Sequence, residues 1–141
     1  MLVTRGAGGA GYWQNSTMLR IGTIVIGASD EQRAAAFWSQ ALNYVPSHEE
    51  SDDDWLVLIS ADGSGQQIAI DASTTPFEAI PRVHLDLYPD DATGQAEEVE
   101  RLISIGAERV DWGLYPDDPD FIVLADTEGN RFCVIDTSQG G

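Results

Sequence analysis

From Leu19 onward the hydrophobic and polar positions fall into alternating blocks of strand and helix spacing. Residues 21–26 form a short β-branched run, which predicts a buried strand. Ser29 is placed to cap a following helix, with Gln32 reaching back as in a capping box. Ala34, Phe37, Trp38, Ala41 and Leu42 then lie on one apolar stripe. Asn43 falls where a left-handed C-terminal cap is needed, a conformation that Asn tolerates. A strand starts at 44–45. Residues 55–60 and 67–72 make a hairpin around Asp62-Gly63-Ser64-Gly65. Residues 73–81, with Pro76 and Pro81, read as a connecting segment.

The pattern then restarts. Residues 83–88 predict a strand with Val83, Leu85 and Leu87 on one face and His84, Asp86 and Tyr88 on the other. A helix follows from about residue 92, with Val99, Leu102 and Ile103 as its stripe and Gly106 as its stop. Strands are expected at 109–114, 121–125 and 132–136. Asp126-Thr127-Glu128-Gly129-Asn130 forms the last turn. The chain therefore reads βαβββ twice, an α+β arrangement with modules at 19–75 and 80–138. Neither half buries its sheet alone, and pairing the halves solves that problem. Residues 1–18 read as a flexible leader before a single domain at 19–141. The glycines of 6–11 have dinucleotide-fingerprint spacing, but the sequence predicts no strand before them and no helix after them.

Charge narrows the partners. The 141 residues carry 24 acids against 7 basic residues, all Arg, for a formal charge of −17. Such a chain repels phosphate backbones and anionic lipid, so neither nucleic acid nor a membrane surface is expected. No apolar run approaches the roughly 20 residues that span a bilayer. Cys133 is the single cysteine; it forms no internal disulfide and fits a reducing cytoplasm. The acidic runs at 49–54 and 117–120 lack the spacing and turn glycine of an EF-hand. No G-x-S-x-G, H-E-x-x-H or P-loop pattern occurs.

Three separated segments carry a resemblance: Phe37-Trp38 through Ala41-Leu42-Asn43-Tyr44, Arg82 through Leu87, and Asp126 through Val134. In order and spacing they resemble the vicinal-oxygen-chelate superfamily, in its glyoxalase-like single-domain branch. The resemblance covers residues 20–137. It implies two βαβββ modules forming a cupped mixed sheet, commonly in a homodimer. Members include glyoxalases, ring-cleaving dioxygenases, epimerases and antibiotic-sequestering proteins, so fold alone does not give the function.

The resemblance also implies where a divalent metal would sit in the enzymes, held by one residue from each of four strands. Those positions map onto Thr23, Asp71, His84 and Cys133. Only His84 keeps the family's residue type; Cys133 stands where the enzymes place Glu. Thr is a weak ligand and a lone buried Cys is more often a small hydrophobe, so the set reads as incomplete. A thiolate in it would favour zinc over magnesium or manganese. A divalent metal is thus the one cofactor candidate. His84 is also the candidate catalytic base, acting with Asp71 and Cys133, and Asp86 or an acid on a neighbouring strand is its candidate hydrogen-bonding partner. Arg131 shares a face with Cys133 and is placed to pair an anionic ligand through its planar fork. Tyr88, Trp112, Tyr115 and Trp55 are candidate aromatic walls, and Thr23 a candidate polar contact. The expected function is binding of a small aromatic or anionic molecule in the cup without a complete metal site. The alternative is a metal-dependent or acid–base lyase or isomerase of the glyoxalase type that uses His84.

Overall fold

The structure is a computed structural model that describes residues 18–90 and 93–138. Its elements are β1 (Ile24–Ala28), α1 (Glu31–Leu42), β2 (Tyr44–Pro46), β3 (Trp55–Ser60), β4 (Ile68–Ala72), β5 (Asp86–Leu87), α2 (Gln95–Ser104), β6 (Glu108–Arg109), β7 (Phe121–Ala125) and β8 (Arg131–Ile135). This is βαβββ followed by βαβββ. One sheet has the order β1-β4-β3-β2 and the other β5-β8-β7-β6. In each, the first strand runs parallel to the fourth and the hairpin strands are antiparallel. The leader expected at 1–18 lies outside the described residues except for Met18, which is exposed.

Local chemistry explains the helix ends, with one correction. The cap of α1 is Asp30 and not Ser29. Asp30 has the extended backbone a cap requires (φ −128°, ψ 92°), and its Oδ1 accepts the Arg33 N–H at 3.0 Å. The Ser29 hydroxyl instead donates to Glu128 Oε1 at 3.0 Å. At the other end Asn43 adopts the left-handed conformation (φ 56°, ψ 47°) that the sequence calls for. Gly106, at φ +126°, turns the chain away after α2.

One apolar core joins the modules. Phe37 and Trp38 of α1 pack with Phe132 and Val134 of β8, Leu124 of β7, and Val99 and Leu102 of α2. The Trp38 and Phe132 ring centroids lie 5.2 Å apart in an edge-to-face arrangement, the geometry aromatic quadrupoles favour. Two buried acids in the β7–β8 turn then lock the first module to the second. Asp126 accepts the Trp38 indole N–H at 3.0 Å. Glu128 accepts from Ser29 Oγ, the Asp30 N–H and both Nε and a terminal nitrogen of Arg33, at 2.7–3.1 Å. These contacts fix how the two sheets meet, and so which faces stay open.

The strand expected at 83–88 is much shorter. Only Asp86 and Leu87 pair with β8. Val83, expected against the helices, is 87 % exposed, while Leu85 and Leu87 do pack on the core. Pro81 and Pro89 bracket the segment, and prolines cannot donate to a ladder. The Leu85 carbonyl still accepts the Cys133 N–H at 2.9 Å, which holds the segment against β8. The strand expected at 109–114 is likewise reduced to Glu108–Arg109.

Candidate functional site

The face of β8 turned away from the helices carries Arg131 and Cys133, while Phe132 and Val134 point into the core. Alternation along the incoming segment puts His84 and Asp86 on one face. The register pairs Asp86 with Cys133 across the strands. Together they form one wall of a cavity of about 410 Å³ in the second module. Tyr88, Trp112, Leu114, Phe121 and Ile135 supply its apolar walls, and Asp120 and Arg131 add charge. A groove of about 430 Å³ between the helices and an open trough of about 560 Å³ beside Arg109 are slightly larger. Neither gathers an imidazole, a thiol and carboxylates around one apolar space, and convergent polar groups in an apolar hollow are what mark a ligand site.

His84, Asp86 and Cys133 form the polar centre. His84 Nε2 lies 3.0 Å from Asp86 Oδ1, and both side chains are a little under half exposed. Cys133 is buried behind them. One donor atom from each of the three lies within 4.8 Å of the others. Burial first, then the charge and hydrogen bond of Asp86, push the Cys133 thiol up to about 11. Cys133 is therefore a neutral thiol near pH 7 and not a ready nucleophile.

Arg131 lines this cavity and also the open trough beside Arg109, which Phe77 and Gly129 line as well. Its guanidinium lies 4.7 Å from the Phe77 ring centroid, and one terminal nitrogen donates to the Gly129 carbonyl at 2.8 Å. Its Nε is the one buried side-chain nitrogen or oxygen among the described residues with no partner. Arg33, Arg101 and Arg109 each hold a carboxylate within 4.0 Å, whereas Arg131 has none among the described residues. The Phe77 ring and the Gly129 carbonyl thus take the place of a carboxylate at this guanidinium.

Of the site residues expected from sequence, His84, Tyr88, Trp112, Arg131 and Cys133 meet at this one cavity. Thr23 and Asp71 do not line it. Asp71 sits on β4, opposite Gly27 and Trp55 in the other sheet. Thr23 precedes β1 in that sheet and accepts a hydrogen bond from Gln67 Nε2 at 2.7 Å. The four positions that the resemblance assigns to a metal lie on the two sheets, and the acid that clusters with His84 and Cys133 is Asp86. Trp55 lies on β3, away from the cavity, and the Tyr115 hydroxyl is used in accepting the Val123 N–H at 2.8 Å. Asp86 lies against His84 and Cys133, and its i, i+2 spacing from His84 is the sequence signal that points to it. Ile80, Leu114, Phe121 and Ile135 carry no distinguishing pattern in the sequence.

Comparison with known proteins agrees with this architecture. Residues 23–135 match the family model described as a glyoxalase-like domain. No curated protein matches the chain. A glyoxalase/bleomycin resistance protein/dioxygenase family enzyme from Burkholderia phytofirmans PsJN superposes with a TM-score of 0.64 at 16 % identity, covering 82 % of this chain and 97 % of that one. A variant of the genomically encoded fosfomycin resistance protein of Listeria monocytogenes, in complex with Mn(II) and 1S,2S-dihydroxypropylphosphonic acid, gives 0.63 at 17 % identity, covering 84 % and 90 %. A possible glyoxalase from Bacillus cereus gives 0.59 at 13 % identity, covering 84 % and 99 %. At these identities the structural likeness speaks for the fold alone. With the family model spanning both βαβββ modules, the chain belongs to the glyoxalase-like domain family.

Proposed function

We propose that the second-module cavity binds a small molecule that carries an aromatic or other apolar body and an anionic group, and that it does so without the superfamily's four-strand metal site. The observation that carries this reading is Arg131: a half-buried side chain with an unpartnered Nε and no carboxylate partner among the described residues, lining an apolar hollow of about 410 Å³. Its fork suits a carboxylate, phosphate or phosphonate. Trp112, Phe121 and Tyr88 supply surface for the apolar body. The ligand would thus replace the counter-charge that the fold withholds from Arg131. The reading places the chain in a reducing cytoplasm, where a lone thiol persists, and in a homodimer, as in related folds.

The His84–Asp86 pair supports a second reading, a lyase or isomerase. Asp86 would fix the imidazole's orientation, and His84 would take a proton from a bound substrate as general base. His84→Ala would then abolish turnover with the fold intact, whereas unimpaired turnover would remove this reading.

The test of the first reading is a thermal-shift screen of aromatic carboxylates and phosphonates, followed by calorimetry on the hits. Micromolar binding that falls about tenfold or more in Arg131→Met, for loss of a charge-assisted pair, supports it. Binding that ignores Arg131, or no anionic hit at all, overturns it.

A further inference from the structure

We propose that Phe77, carried on the connector between β4 and β5, is a positioning residue for Arg131: its ring, with the Gly129 carbonyl, holds the guanidinium in place for an anionic ligand without neutralising it. This rests on the reading of Arg131 as the anion-recognising group, and a ligand-free readout keeps the two separable.

The contact is assembled from separate parts of the chain. The Ser73 N–H donates to the Ala28 carbonyl at 2.9 Å, and the Thr75 N–H to Ser73 Oγ at 3.1 Å, which ties the start of the connector to the end of β1. Pro76 then limits the backbone just before Phe77. The Phe77 ring lies against Gly129 in the β7–β8 turn. A Cβ at that position would run into the ring, and the backbone φ of +91° also favours glycine there. Over the same ring sits the Arg131 guanidinium, 4.7 Å from its centroid. Phe77 is 49 % exposed and lies outside the apolar core, so core packing does not account for a large aromatic side chain here.

What holds the guanidinium decides what it can still bind. Arg33, Arg101 and Arg109 are each held by a carboxylate. A carboxylate fixes a guanidinium but also cancels its charge, so an incoming anion has to displace it. An aromatic face attracts the cation through its quadrupole and carries no net charge. Stacking uses the face of the guanidinium, whereas its N–H groups lie in its plane. The Gly129 carbonyl takes one of those, from a terminal nitrogen, at 2.8 Å. Nε has no partner, and the guanidinium makes no other hydrogen bond among the described residues. The remaining donors, with the full positive charge, are left for a carboxylate, phosphate or phosphonate. Holding a long flexible side chain beforehand also removes part of the ordering cost from binding. Ile80 and Pro81 of the same connector line the cavity, so the connector contributes both a wall and the support of the cation.

The experiment uses the full chain with isotope-labelled arginine. Without ligand, the Arg131 Nε–H resonance, identified by its loss in Arg131→Met, is expected upfield of the other arginines because of the Phe77 ring current. Phe77→Tyr keeps it there, and Phe77→Leu returns it to the ordinary range. Phenylphosphonate is then titrated by calorimetry. Phe77→Leu should bind it about threefold or more weaker than wild type, the loss expected of one cation–π contact. Phe77→Tyr should restore the affinity. Circular dichroism checks every variant, and the exposure of Phe77 makes a folded Phe77→Leu the expected result. An Arg131 resonance that ignores Phe77→Leu overturns the proposal. So does undiminished phenylphosphonate binding in Phe77→Leu where Arg131→Met loses it, an outcome that leaves the reading of Arg131 standing. Binding that is absent from wild type, or intact in Arg131→Met, removes that reading and with it any role for Phe77 in positioning.

Discussion

Glu128→Gln is expected to destabilise the fold by about 2 kcal/mol at neutral pH, and by far less in acid. The Glu128 side chain is only 2 % exposed and accepts from Ser29, Asp30, Thr127 and Arg33. The Arg33 hydrogen bond, followed by those from Thr127, Ser29 and Asp30, outweighs desolvation and holds its carboxyl at about 2, against an ordinary 4.5. At about 1.4 kcal/mol per pH unit, that difference sets a ceiling of roughly 3 kcal/mol. Arg33 is half exposed, so solvent screens part of the attraction and about 2 kcal/mol remains. The folded carboxyl titrates below the unfolded one. The contribution is therefore complete above about pH 5 and is lost as pH falls through the folded value near 2. Urea unfolding of wild type and variant at pH 7, 4 and as near pH 2 as both remain folded measures the gap. A melting point lower by roughly 6–8 °C should accompany it at pH 7. Equal stabilities at pH 7, or a gap that does not shrink with acid, would refute the reasoning.

Three further outcomes follow from named contacts. Trp38→Phe removes the indole donor 3.0 Å from buried Asp126 Oδ2 and should cost about 1–3 kcal/mol in urea unfolding; a loss below about 0.5 kcal/mol would mean the Asp126 network compensates fully. Gly129 has φ +91°, and a Cβ there would run into the Phe77 ring. Gly129→Ala should therefore destabilise by at least about 1–2 kcal/mol from backbone strain, and Phe77→Ala in the same chain should recover part of it; a neutral single variant would contradict this. In metal-free protein, alkylation of Cys133 by iodoacetamide should be slow at pH 8 and still rising toward about pH 11. Asp86→Asn removes a charge that raises the thiol and should speed alkylation at pH 8; an unchanged rate would show that burial alone controls it.

The sequence made the repeat legible because most elements present strong, local periodicity. The Ala34–Phe37–Trp38 stripe, the Asn43 cap and the hairpin at Phe121–Ala125 and Arg131–Ile135 all depend on neighbours within a few residues. What local pattern misses is set by tertiary pairing. Val83 looks like a core position by alternation, but the paired strand begins only at Asp86. Ser29 looks like a helix cap, but a glutamate 99 residues away claims its hydroxyl. The cavity followed the same division. His84, Tyr88, Trp112, Arg131 and Cys133 stand out by residue type and face, and they do meet. Thr23 and Asp71 came from family positions, and whether such positions converge depends on how two sheets are arranged, which spacing does not encode. Asp86 was visible beside His84, but its partnership with Cys133 needed the β5–β8 register.

The central claim is that the second-module cavity is where this chain meets its ligand. Amide and side-chain NMR shifts, followed while small anionic aromatics are titrated into the full chain, test it most directly. The account predicts saturating shifts centred on His84, Asp86, Tyr88, Trp112, Arg131 and Cys133, with Thr23 and Asp71 unmoved. Shifts that centre instead on the groove between α1 and α2, or on the outer sheet around Asp71, would contradict it.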